Sequence, residues 1–184
     1  MHTIKRNVVR WLVVLGVVLL VRPVHAQWER AREDLNFYTN NLSGPRFGLT
    51  FIPAGSELSD SLKVHEINPF FSQFGWHFEQ QITPRKGGPA LVFELIPLIG
   101  AVESGTLLFS STLVLGIRLP DGVEFGVGPN LWFLGTGIKS SLIIAAGKTM
   151  DYSGVNIPIN VAFSASNAGV RMTLLIGYAI GPPD

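Results

Sequence analysis

His77 and Glu79 stand two apart in Phe74-Gly75-Trp76-His77-Phe78-Glu79, where aromatic and small or polar residues alternate. On a strand, that spacing puts both side chains on one face. The pair therefore offers a base with an orienting carboxylate, or the beginning of a metal site. A metal site needs three or four ligands, and the other histidine after residue 26, His65, falls in a long connection between strands. The sequence accordingly assigns no metal. Buried charges are commonly paired for structural reasons, so the expectation is a hydrogen-bonded network joining His77 and Glu79 to Arg46 or Arg118.

Other reactive patterns are missing from the sequence. It contains no Gly-x-Ser-x-Gly elbow, phosphate loop or His-Glu-x-x-His run. The stretch Gly122-Val123-Glu124-Phe125-Gly126-Val127-Gly128 is glycine-rich, but no helix pattern follows it. Alternate glycines there fit a crowded, curved sheet. The chain has no cysteine, which removes thiolate nucleophiles, thiolate zinc sites and disulfides together. Serines are plentiful, yet none has an evident histidine partner. The reading is a protein with no catalytic residues and no cofactor.

The charged residues carry more information. Arg46, Glu79, Glu94, Arg118, Glu124, Lys139 and Arg171 all lie in segments of period two, each on the less apolar face of its own segment. With His77 they form a candidate polar network and binding set if those faces converge. Their neighbours on the same faces are small: Gly48, Gly75, Gly116, Gly126, Gly128, Ser141, Ala162, Ser164 and Gly177. The solvent face of a soluble sheet is polar and points away from an apolar interior. A membrane barrel inverts this, with an apolar belt toward lipid and small or polar residues within. Small residues suit the narrow lumen of an eight-stranded barrel, so the inverted arrangement is expected.

Eight segments must position these residues: about 46–53, 72–82, 90–102, 107–119, 123–133, 137–148, 154–165 and 169–180. In 154–165, Val155, Ile157, Ile159, Val161 and Phe163 oppose Asn156, Pro158, Asn160, Ala162 and Ser164. Turn chemistry such as Pro120-Asp121-Gly122 and Ser166-Asn167-Ala168-Gly169 separates the segments. No long helix pattern follows Leu42, and the short connections force antiparallel neighbours. The fold class is all-β, an eight-stranded antiparallel up-and-down β-barrel over residues 45–184. Segments 90–102 and 137–148 add Val92, Ile96, Leu98, Ile143 and Ala145 to the inner face, so the lumen should be partly apolar. Lys148 and Glu103 have outward parity: Lys148 is expected at the boundary or after a bulge at Gly147, and Glu103 at a strand end.

Ahead of the barrel, Trp28, Ala31, Leu35, Tyr38 and Leu42 recur at helical spacing, which predicts a short amphipathic helix forming a lid over 27–44. Residues 1–26 read as a signal peptide: Lys5, Arg6 and Arg10, an apolar run from Trp11 to Val21, then Val24-His25-Ala26. Removing four basic residues from 14 leaves ten against 13 acidic ones, a net charge of −3. That balance gives no support for nucleic-acid binding. The connection 54–71 is the longest, and serves either as a partner-binding loop or as an end cap of the barrel.

The leader, the eight alternating segments, the short turns and the aromatic residues near strand ends (Phe70, Phe71, Phe109, Trp132, Phe133, Tyr152, Tyr178) resemble small outer-membrane β-barrel proteins of double-membraned bacteria. Gly44-Pro45-Arg46-Phe47-Gly48 and Gln73-Phe74-Gly75-Trp76 are similar to blocks of exported barrel-type proteins with no assigned activity. The resemblance covers about 45–181. It implies export to the outer membrane, contact with membrane lipid, the outer-membrane insertion machinery as a partner, and a structural or binding role in the cell envelope. Two other readings stay open at this point: a periplasmic lipocalin-like carrier of a lipid or other apolar small molecule, and an outer-membrane lipid-modifying enzyme.

Overall fold

The computed structural model describes residues 37–40, 42–84, 88–134, 137–153 and 155–180. In chain order these form β1 (Phe37–Asn40), β2 (Gly44–Phe51), α1 (Glu57–Val64), β3 (Phe70–Pro84), β4 (Ala90–Gly100), β5 (Leu108–Arg118), β6 (Val123–Leu134), β7 (Gly137–Tyr152), β8 (Val155–Ser166), β9 (Gly169–Gly177) and β10 (Ala179–Ile180). Each strand from β2 to β9 pairs antiparallel with its neighbours in sequence, and β9 pairs back onto β2. The result is a closed eight-stranded up-and-down barrel, as the alternation predicts.

Its shear follows from the register. Stepping through paired residues from Lys148 to Ile159, Ile176, Phe47, Phe74, Ile99, Phe109, Phe133 and Ile138 returns to β7 ten residues from the start. A shear of ten over eight strands tilts them about 40° from the barrel axis, so each residue adds about 2.5 Å of height.

Parity decides which side chains face inward. Arg118, Glu124 and Arg171 are buried at 7%, 6% and 6% exposure, whereas Leu115 and Leu174 are exposed at 50% and 46%. On β3, Phe74, Trp76 and Phe78 point outward while Gln73, His77 and Glu79 are buried. Lys148 pairs with Val123, the first residue of β6. Glu103 lies in a 3-10 turn just past β4, where its carboxylate accepts hydrogen bonds from the Ser72 N–H and hydroxyl. Glu103 therefore stands past a strand end, whereas Lys148 lies four residues inside β7, level with the start of β6, and the ladders run through Gly147 without a bulge.

The N-terminal expectations fare differently. The leader and most of the lid lie outside the described residues. Within 37–40, where a helix was expected, the chain is the strand β1. The sequence Phe37-Tyr38-Thr39 consists of aromatic and β-branched residues that favour extended backbone over helix. The described helix is α1, inside the 54–71 connection. Ser56 caps it by accepting a hydrogen bond from the Ser59 N–H, and Leu58 and Leu62 fall four apart on its buried face. They pack with Ile52, Ile67, Phe71, Ala101, Leu108 and Trp132, closing one mouth of the barrel. The Leu58 N–H donates to the Ala168 carbonyl at 2.8 Å, tying α1 to the β8–β9 turn.

Candidate functional site

The lumen is filled in layers. Below the α1 cap, Arg171 stacks on Trp132 with its guanidinium carbon 4.0 Å from the ring centroid, and Nη2 donates to Asn130 Oδ1 at 2.7 Å. A second layer is apolar and contains Ile96, Leu98, Val114, Ile143, Ala162 and Leu175. The third, toward the opposite mouth, is ionic. It brings together Arg46, His77, Glu79, Glu94, Arg118 and Glu124 from five strands, with Gln81 and Asn160 at its margin.

Arg118 organises the ionic layer. Nη1 and Nη2 donate to the two oxygens of Glu79 at 2.6 and 2.7 Å, and Nε donates to Glu124 at 2.8 Å. Nη1 also reaches Gln81 Oε1 at 2.7 Å, and Nη2 makes a second bond to Glu124. Fork-to-fork pairing of this kind is the strongest geometry available to a guanidinium. Asn160 Nδ2 donates to the remaining Glu124 oxygen at 3.2 Å. Arg46 Nη2 donates to His77 Nδ1 at 2.6 Å. A Cβ on Gly177 would collide with the Arg46 guanidinium, so glycine is needed there to make room for it.

His77, Glu79 and Glu94 offer ligand atoms close enough for one metal ion, with His77 Nε2 lying 3.9 Å from Glu79 and 3.6 Å from Glu94. The donor set does not fit one well. Arg46 can only donate, so His77 must accept at Nδ1 and carry its proton on Nε2, the atom a metal would need. Glu79 is already engaged at both oxygens by Arg118. The same bonds count against His77 as a general base, since its free nitrogen is the protonated one.

Two of the predicted residues stand apart from the cluster. Lys139 lies at the capped mouth, where Nζ bonds Glu57 Oε1 at 2.8 Å and Ser61 Oγ at 3.2 Å of α1. Arg171 sits near the same end, and among the described residues it has no carboxylate partner. Face parity grouped both with the others, but the shear places them at a different height. The polar chain Gln73–Thr50–Thr173, with 2.8 Å bonds on either side of the Thr50 hydroxyl, was not singled out in the sequence. Its signal was available: three inward parities beside glycine and arginine.

Between the layers lies a cavity of about 40 Å³, lined by Arg46, Gln73, His77, Glu94, Arg171 and Thr173 among others. That is room for a few waters. At the opposite mouth, among the described residues, a vestibule of about 480 Å³ lies between Thr83, Asp121, Thr149 and Asp151, with Arg118 at its floor.

No family model matches the chain, and no curated protein matches it in sequence. Among solved structures, it is similar to Ail, the attachment invasion locus protein of Yersinia pestis, at 10% identity and a TM-score of 0.41, covering 78% of this chain and 97% of that one. The barrel assignment rests on the strand registers and not on this likeness.

Proposed function

We propose that the chain is an outer-membrane barrel, embedded in lipid by its strands, with a closed lumen and a structural or binding role in the cell envelope without catalysis. One observation carries the reading. The outward face of the closed sheet is mainly apolar while the strand-borne charges other than Lys148 have inward parity, as expected when hydrocarbon surrounds the barrel. On β7 the outward residues continue to Tyr152, and the stretch from Ile138 to the first outward charge, Lys148, spans ten residues, or about 25 Å of height at this tilt. That matches the apolar band of a membrane barrel, about 25 Å tall. Aromatic residues flank the band. Phe51, Phe70, Phe109 and Phe133 stand exposed near the capped end, and Phe78, Phe125 and Tyr178 toward the other.

The rival readings find less support. A carrier of an apolar ligand needs a pocket of roughly 300 Å³ or more, and the enclosed cavity has about 40 Å³. A lipid-modifying enzyme would need reactive groups facing the bilayer, whereas His77 lies inside with its basic nitrogen occupied. Insertion by the outer-membrane machinery, after export on the predicted leader, belongs to the same proposal.

The test is fractionation followed by lipid quenching. The protein is expected to stay with membranes until detergent is added. In vesicles carrying brominated acyl chains, the outward Trp76 should be quenched and the inward Trp132 spared. Recovery as a detergent-free soluble monomer, or equal quenching of both tryptophans, would overturn the reading.

A further inference from the structure

We infer that the lumen holds a small monovalent anion of halide size against Arg171. Arg171 is 6% exposed, and among the described residues its partners are one amide oxygen, on Asn130, and the Trp132 ring. A buried cation without a counter-charge is strongly disfavoured, and a cation–π contact offsets only part of that. Among the described residues no carboxylate of the ionic layer is paired with it. Along β9 the inward residues run Arg171, Thr173, Leu175, Gly177, and Arg46 lies over Gly177. Glu94 lines the same cavity as Arg171 but makes no bond to it, and Leu175, Ile143 and Ala162 form the apolar part of that cavity's wall.

Of the other buried polar atoms without partners, two lie beside Arg171 or its cavity, and a third, His77 Nε2, lines that cavity farther along. Gln73 Nε2 and Trp132 Nε1 are buried donors without acceptors, each in a residue 2% exposed. Gln73 lines the cavity that Arg171 lines, and its acceptor oxygen is already used by Thr50. The neighbourhood of Arg171 therefore has more donors than acceptors and one positive charge in excess. Across the whole lumen three arginines, Arg46, Arg118 and Arg171, face three glutamates. The ionic layer, however, holds three acids against two of those arginines, which leaves Arg171 locally unmatched. A single anion gives Arg171 an adjacent counter-charge and Gln73 Nε2 an acceptor, and a cavity of about 40 Å³ admits chloride or bromide while excluding a sugar acid. The inference concerns the barrel interior and stands whether lipid or water lies outside.

The probes are chloride and bromide against gluconate at equal ionic strength, with the folded barrel in a zwitterionic detergent. Thermal stability and Trp132 fluorescence should respond to chloride saturably and not to gluconate. Gln73→Leu, which removes one donor, should raise the half-saturating chloride concentration about tenfold. Arg171→Gln should abolish the response. Crystals grown in bromide should show an anomalous peak beside the Arg171 guanidinium. If chloride and gluconate act alike, or if bromide crystals show no peak in the lumen, the inference fails. Gln73→Leu guards against an Arg171 variant that does not fold, because it leaves the charge in place.

Discussion

Replacing Arg118 by methionine removes the centre of the ionic layer at nearly constant volume. The structure defines what is lost: both bonds to Glu79, two of the three to Glu124, and the bond to Gln81 Oε1. The acids cannot turn to water, since Glu79 and Glu124 are 4% and 6% exposed. Removing one partner of a buried pair typically costs about 3–5 kcal/mol, mostly because the other is left uncompensated. That is a fall in the folding constant of about two to three and a half orders of magnitude. Removing the stranded charges as well should return much of the loss, because neutral replacement of a whole buried cluster is often nearly free. The triple variant Arg118→Met, Glu79→Gln, Glu124→Gln should therefore be more stable than Arg118→Met alone by about 2 kcal/mol or more. Urea unfolding in phospholipid vesicles, read by the shift of the folded band on unheated gels, measures all three proteins. If Arg118→Met falls within about 1 kcal/mol of the parent, or if the triple variant is the least stable, the lumen is wet and the layered interior is wrong.

Three further outcomes are expected. Leu174→Arg puts a cation near mid-height on the outer face and should cost about 2–4 kcal/mol in vesicles; an unchanged urea midpoint would mean that lipid does not contact β9. Leu62, 1% exposed beneath α1, should cost about 2–5 kcal/mol of cap stability on truncation to alanine, seen as faster hydrogen exchange across 57–67 with the strands still protected. Slight burial acts to raise the Glu103 pKa, but hydrogen bonds from Ser72 and from its own backbone outweigh it and hold the carboxyl below its ordinary range. The latch to Ser72 is therefore complete above the unfolded-chain value of about pH 4.3 and is lost as pH falls through the lower folded value. Exchange at the Ser72 amide should accelerate on acidification in the parent and be fast at all pH in Glu103→Ala, which removes the acceptor.

Much of this architecture was legible in the sequence because a strand has a period of two. Once Phe74, Trp76 and Phe78 alternate with His77 and Glu79, the face of each residue is fixed. The small and charged composition of the other face then says which medium it avoids. Height was not legible. It depends on the shear, a property of all eight registers at once, so Arg171 and Lys139 were grouped with acids that the barrel keeps at another level. An end cap was one of two readings of 54–71, but its helix was missed because Glu57–Val64 is short and polar. Its evidence reduced to Ser56 as a cap and Leu58 with Leu62 four apart. In 37–40, helical spacing of apolar residues competed with β-prone residue types, and the residue types prevailed.

The ionic layer has a mechanical consequence for a chain that contains no cysteine. Some of its bonds join neighbouring strands and others skip one, so they add to the pairing of the wall. Arg118 on β5 clasps β3 and β6, Asn160 on β8 reaches β6, and Arg46 on β2 holds β3. The wall therefore stays fastened even where the polypeptide is interrupted. A protease cut at Ser153, in the turn between β7 and β8, should leave two fragments that migrate together in mild detergent and separate only on boiling.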